Sequence, residues 1–163
     1  MERSYWNAEN TKSIIEKSYD ISRVYGLPND KQEVIFALVA LSCELYLKSL
    51  LYANKDQQSI VKGHDISTLF EKLPVPIKTK IEELVGENDF AKKLEANKDV
   101  FMIFRYSYEM KGYKINASFL LKLMKALSEL CKGIYPKELT DGKGELFRCG
   151  YAANGVLYKI EAE

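Results

Sequence analysis

Val34-Ile-Phe-Ala-Leu38-Val-Ala-Leu41-Ser-Cys-Glu44-Leu45-Tyr-Leu47-Lys48-Ser-Leu50-Leu51-Tyr52 is the stretch that decides the fold. Val34, Leu38, Leu41 and Leu45 recur at steps of four, three and four, which predicts a helix over 31–52 with these residues on one face. Leu47, Leu50 and Leu51 extend apolar surface round another side. A helix apolar on more than one side needs several partners, so it is expected at the centre of a bundle. Glu44 and Lys48 interrupt it, and two charges near its middle and C-terminal half make it a poor membrane span. Just ahead, Asp30 and Glu33 have capping-box spacing, with Asp in place of the usual Ser or Thr.

The flanking segments are mostly helical as well. Trp6, Ile14, Ile15, Ile21 and Tyr25 can line a stripe on a first helix, before Gly26-Leu27-Pro28 stops it. After a polar loop over 54–64, Asp65 is a plausible cap for a short helix carrying Ile66, Leu69, Phe70 and Leu73. Pro74 and Pro76 punctuate the next junction, and Ile77, Ile81, Leu84 and Val85 place another helix before Gly86. A weaker helical stretch covers 90–94. The aromatic run Phe101-Met-Ile-Phe-Arg105-Tyr106 reads as a helix ending near Gly112, with a strand as the competing reading. Asn116 can cap a helix over 117–132, with Leu120, Leu123, Leu127 and Leu130 inward and Gly133 as its stop. Beyond it, two loosely alternating segments flank Ala152-Ala-Asn154-Gly155, a strong turn signal, and predict a small hairpin. The expected architecture is therefore all-α: an up-and-down helical bundle over 1–135, with a C-terminal extension over 136–163 forming a β-hairpin packed on it.

Composition narrows the chemistry. A chain of 163 residues can bury a core without a metal or disulfide to hold it. Cys43, Cys131 and Cys149 are odd in number and widely spaced, which suits a reducing, cytoplasmic location rather than a disulfide framework. The polar start, Met1 to Trp6, has no apolar core of a secretory signal. One histidine excludes most histidine-rich metal centres, and neither a metal nor another cofactor is expected. The formal net charge is +1, so no whole-protein field steers the chain onto nucleic acid or an anionic membrane. A local field is another matter. Between Arg105 and Lys132 there are six positive against two negative residues. Arg105, Lys111, Lys114, Lys122 and Lys125 could form a modest anion-binding face, although a solvated helix surface would look the same.

Few residues are candidates for reaction chemistry. Glu44 and Lys48 stand at i,i+4 in the favourable acidic-before-basic order, as a partly buried ion pair or a polar notch in the central helix. His64 is the only ring suited to ordinary acid–base work near neutral pH, or it bonds backbone at a helix entrance. Asp65 could orient that ring, though capping explains it sufficiently. Arg105 lies among aromatic and apolar residues, where it could pair with Glu109, reach Glu44, or bind phosphate in a cleft. Glu44, Lys48, Asp65 and Glu109 make up the expected polar cluster.

Three stretches in this order resemble the HEPN superfamily of small helical-bundle proteins. They are Leu41-Ser-Cys-Glu44-Leu-Tyr-Leu-Lys48-Ser-Leu-Leu51, Gly63-His64-Asp65-Ile-Ser-Thr-Leu69-Phe70, and Phe104-Arg105-Tyr106. The resemblance spans roughly 8–132. It implies a helical bundle, a homodimer, and a place among defence and toxin–antitoxin systems. Many toxin-like members are metal-independent ribonucleases whose signature is an arginine followed four to six residues later by histidine. Here Arg105 is followed by Tyr-Ser-Tyr-Glu-Met-Lys-Gly, and the single histidine lies upstream. The usual catalytic pair is absent.

The leading expectation is an HEPN-like binding or assembly module that contacts RNA or nucleotide through its basic face, with a protein partner also open and no membrane. The alternative is a divergent metal-independent ribonuclease using His64 and Arg105 as catalytic residues. A purely structural partner protein, with Glu44, Lys48 and Arg105 in an interior network, is the third.

Overall fold

The computed structural model describes residues 2–18, 29–53, 62–106 and 114–134, and the backbone of 149–151 and 157–159. Helices dominate these residues: α1 Glu2–Ser18, α2 Asn29–Ala53, α3 Ile66–Glu71, α4 Val75–Val85, α5 Phe90–Ala96, α6 Val100–Arg105 and α7 Ala117–Ile134. The chain divides into two units, Met1–Cys131 and Lys132–Glu163, a few residues ahead of the expected boundary. The first is an all-α bundle. In the second, β1 Cys149–Tyr151 pairs antiparallel with β2 Leu157–Lys159, Tyr151 opposite Leu157 and Cys149 opposite Lys159. The turn expected at Asn154-Gly155 lies outside the described residues.

The central position of α2 is borne out, as is the burial of Leu47, Leu50 and Leu51, but the Val34 row is not the inward one. Val34 is 55% exposed, and Leu38, Leu41 and Leu45 are half-buried. The buried apolar and aromatic residues are Ile35, Phe36, Val39, Ala40, Cys43, Tyr46, Leu47, Leu50 and Leu51. Both sets satisfy a 3.6-residue period, so spacing could not choose between them. Small side chains mark the chosen side, where a neighbour can approach closely: the Cys43 thiol donates to the Leu120 carbonyl at 3.7 Å. The helix also starts two residues earlier than expected, placing Asp30 inside its first turn rather than at its cap. By length and composition residues Gln32–Ala53 could cross a membrane, but 67% of the apolar window is buried within the protein, as suits a core helix.

In α1, Tyr5, Ala8 and Ile15 face the core. Ile14 is 53% exposed because it stands nine residues, half a turn in phase, from Tyr5. Ile21, Tyr25 and the Gly26-Leu27-Pro28 stop lie outside the described residues. The expectations for α3 and α4 hold closely. Ile66, Leu69, Phe70 and Leu73 are buried, as are Ile81 and Val85. Gly86 closes α4 at φ +60°, a left-handed conformation that glycine adopts without a Cβ penalty. The aromatic run is helical through Arg105, so the strand reading is set aside.

Helix α7 begins as expected, with the Asn116 side chain accepting from the Phe119 amide at 3.1 Å. Leu120, Leu123 and Leu127 are buried and Leu130 is half-buried. Gly133 does not stop the helix, which continues to Ile134. Phe90 links α5 to Phe70 and Phe119, with ring centroids 5.1 and 5.5 Å away. Asn97 is buried, donates to the Lys93 carbonyl at 2.7 Å and accepts from the Asn116 amide at 2.9 Å. That bond fastens the entrance of α7 to the end of α5.

Candidate functional site

Glu44 projects from the middle of α2 and is only 2% exposed. A buried carboxylate persists when it is paired and hydrogen-bonded, and this one is. Lys48, one turn on, donates to Oε1 at 2.7 Å. The other partner is the His64 Nδ1, which lies 3.0 Å from both Oε1 and Oε2. Sequence spacing gave the Glu44–Lys48 pair. The imidazole arrives from a different element.

Several contacts fix where that imidazole sits. Gly63 takes φ +102°, a conformation that a side chain would strain, and turns the chain into the α3 entrance. Asp65 then caps α3, accepting from the Thr68 amide at 2.9 Å and the Thr68 hydroxyl at 3.0 Å. The next amide, Ile66, donates to the Lys98 carbonyl at 3.1 Å, tying this entrance to the turn before α6. Across that turn the Phe101 ring lies 5.5 Å from the imidazole, centroid to centroid. The Asp65 carboxylate is thus absorbed by its cap, and Glu44 orients the ring instead.

A carboxylate on Nδ1 selects the ring form that carries its proton there. In the neutral ring Nε2 then holds the lone pair. The His64 side chain is 45% exposed while its carboxylate partner is 3% exposed. The arrangement is a carboxylate-held imidazole that remains partly exposed. Ionised Glu44 and Lys48 carry no net charge between them. Exposed Lys62 and Thr68-bound Asp65 flank His64 in sequence, and exposed Arg105 is the charged residue of α6.

Arg105 does not reach Glu44, whose oxygens are taken by Lys48 and His64. Its guanidinium lies 5.7 Å from the centroid of the Tyr106 ring. It is nevertheless four residues after Phe101, one turn further along the same face of α6 that meets His64. Glu109 lies outside the described residues. The expected cluster therefore separates: Glu44 and Lys48 are joined by His64, and Asp65 serves the helix end. Phe101 was missed as a site residue, and no spacing linked it to His64.

The basic face is weaker than its charge count suggested. Lys122 pairs with Glu87, which Lys93 also contacts. The two lysines hold Glu87 at about 2, well below its ordinary 4.5. Lys114 and Lys125 are exposed, whereas Lys111 lies outside the described residues. A cavity of about 720 Å³ opens beside Asn97, Lys114, Asn116 and Ser118. It is lined by none of Glu44, His64 and Arg105. No group of three or more metal-ligating side chains occurs among the described residues.

A second polar node occupies another side of α2. Glu9 Oε1 accepts from the Tyr46 hydroxyl at 2.6 Å and from the Ser128 hydroxyl at 2.7 Å, joining α1, α2 and α7. Burial, then the hydrogen bond to Glu9, pushes the Tyr46 phenol up. Burial, then the Glu9 charge, pushes the Cys131 thiol up to about 12. Burial does the same to Cys43. Comparison of the chain with family models finds no match, and comparisons with curated proteins and with solved structures find none either.

Proposed function

We propose that this chain is an HEPN-like, RNA-directed module in which His64 is the general base of a metal-independent phosphodiester cleavage. One observation carries the reading: an imidazole with Nδ1 on a buried carboxylate and a side chain that stays 45% exposed. A histidine that merely closes a helix entrance has no need of a buried carboxylate to orient a partly exposed ring. Arg105 supplies charge for the phosphate one helical turn from the ring's aromatic neighbour, and exposed Lys62 adds a second cation. Glu44 is a positioning residue.

The step balances as follows. His64 Nε2 takes the proton of a ribose 2′-hydroxyl, and its oxygen attacks the adjacent phosphorus. The P–O2′ bond forms and the P–O5′ bond breaks. The leaving 5′-oxygen takes a proton from solvent, giving a 2′,3′-cyclic phosphate and a 5′-hydroxyl. Arg105 stabilises charge on the non-bridging oxygens during the transfer. The half-buried row Leu38, Leu41 and Leu45, with exposed Val34, supports the homodimer that the HEPN resemblance implies.

Incubation of the full chain with a panel of single-stranded RNAs in EDTA tests the reaction. Cleavage to cyclic-phosphate ends is expected, falling at least about 100-fold in His64→Ala. Intact RNA across the panel sinks the ribonuclease. A second reading, binding without cleavage, is favoured by the missing arginine-to-histidine spacing and the exposed Arg105, Lys114 and Lys125. Salt-dependent RNA binding with no cleavage, weakened in Arg105→Ala, selects it. Absence of binding at low salt removes both.

A further inference from the structure

Lys48 is a residue that the reading above leaves without a task. Its side chain is 14% exposed and its ammonium lies 2.7 Å from Glu44 Oε1. Glu44 also meets the His64 ring at 3.0 Å through both oxygens. A carboxylate that is 3% exposed strongly favours a positive partner. Two groups in contact with it can supply that charge: a lysine, which is permanently protonated near neutral pH, and an imidazole, which exchanges its proton there.

We infer that Lys48 is a positioning residue that serves as the counter-charge of Glu44, freeing His64 to remain a neutral hydrogen-bond donor with its Nε2 lone pair outward. Without Lys48, the buried carboxylate would recruit the imidazole as its cation. A protonated ring has no lone pair to accept a ribose proton, so the base would become a fixed anion-binding group. The residue sequence Glu44-x-x-x-Lys48 thus sets which kind of chemistry His64 performs. The consequence for RNA cleavage rests on the function proposed above, while the charge assignment stands on the geometry alone.

The charged surroundings are compatible with this assignment. From α2 the ring meets Glu44 and, through it, Lys48. From α6 it meets uncharged Phe101, with Arg105 one turn away. Its own segment contributes exposed Lys62 and Asp65, whose carboxylate is engaged by Thr68. Among these, Lys48 is the cation bound to the carboxylate that holds the ring.

The single histidine makes the test direct, because imidazole ¹⁵N signals come from His64 alone. In the wild-type chain without RNA, the neutral ring is expected to carry its proton on Nδ1. In Lys48→Met, the pH midpoint of the ring signal should rise by about 1 unit or more, because a nearby cation has been removed. Lys48→Arg should restore the wild-type midpoint. A neutral ring protonated on Nε2 overturns the inference even if Lys48→Met does not fold. So does a folded Lys48→Met whose midpoint equals the wild type. If RNA is cleaved, Lys48→Met should lose kcat at neutral pH and recover it at higher pH, with little change in KM. A chain that passes the ¹⁵N tests but leaves all RNA intact refutes the ribonuclease and keeps the Lys48 assignment. A chain that cleaves RNA while a folded Lys48→Met keeps the wild-type midpoint does the reverse.

Discussion

Glu44 and Glu9 act on opposite sides of one turn of α2, since Glu44 and the Tyr46 that meets Glu9 are two residues, or 200°, apart. Glu9 receives two hydroxyls, and neither Tyr46 nor Ser128 is more than 1% exposed. Among the described residues it has no cationic partner. Its neighbours are pushed away from neutral-pH chemistry, with Tyr46 raised by burial and Cys131 raised by burial to about 12. Glu44 has a cation on one side and an exposed imidazole on the other. The same functional group thus joins helices at one node and aims a titratable ring outward at the other. Burial of the partners, rather than the carboxylate itself, separates a fastening from a candidate site.

The sharpest way to break that contrast is to remove each member of the Glu44 node separately. Glu44→Ala strands the mostly buried Lys48 ammonium and should cost about 3 kcal/mol or more in urea denaturation. His64→Ala removes a group at the exposed edge and should cost no more than about 1 kcal/mol, while lowering the proposed cleavage at least about 100-fold. The expected pattern is stability lost in one variant and the proposed cleavage lost in both. A His64→Ala chain as destabilised as Glu44→Ala would make the imidazole structural and erase the contrast.

The Glu9 node should respond in the opposite sense. Tyr46→Phe and Ser128→Ala each remove one donor from the same carboxylate oxygen, at a cost of about 1–2 kcal/mol each. The double variant should cost more than their sum, because it leaves Glu9 without either hydroxyl. RNA turnover at saturating substrate should be unchanged in the folded single variants. Equilibrium unfolding of the four chains measures the coupling, and strict additivity would show that the two hydroxyls do not share one acceptor energetically.

How much of this could be read from sequence depends on whether the cause was local. Asp65 capping α3 and Asn116 capping α7 involve partners three residues away, and both were legible. Glu44–Lys48 is a one-turn spacing and was legible too. The buried side of α2 was not, because two apolar rows had the same period and only neighbouring helices distinguish them. His64 meeting Glu44 joins positions 20 residues apart, and Ser128 meeting Glu9 joins positions 119 apart. Neither spacing carries a pattern. Lys122 was counted as available charge because Glu87 is 35 residues upstream, on another element. Charge counts along one helix miss compensation that arrives through the fold.

Glu87 completes the comparison as a third carboxylate, with two lysines and no buried partner in its pairings. Hydrogen bonds from Lys122 and then Lys93 lower it from 4.5 to about 2. Its folded value lies below its unfolded one, so its contribution to stability is present above about pH 4.5 and is lost as pH falls towards 2. Glu87→Gln should therefore lower the urea midpoint slightly at pH 7, and the gap to wild type should close between those two values. The effect should be the smallest of the set, because exposed ion pairs are screened by solvent and salt. The same substitution frees Lys122. If the α7 face contributes to RNA binding, affinity at low salt should rise in Glu87→Gln, and the gain should fade as salt is added. An unchanged affinity would remove the α7 face from the proposed RNA contact and leave it to the side of Arg105 and His64, where Glu44 of α2 holds the imidazole.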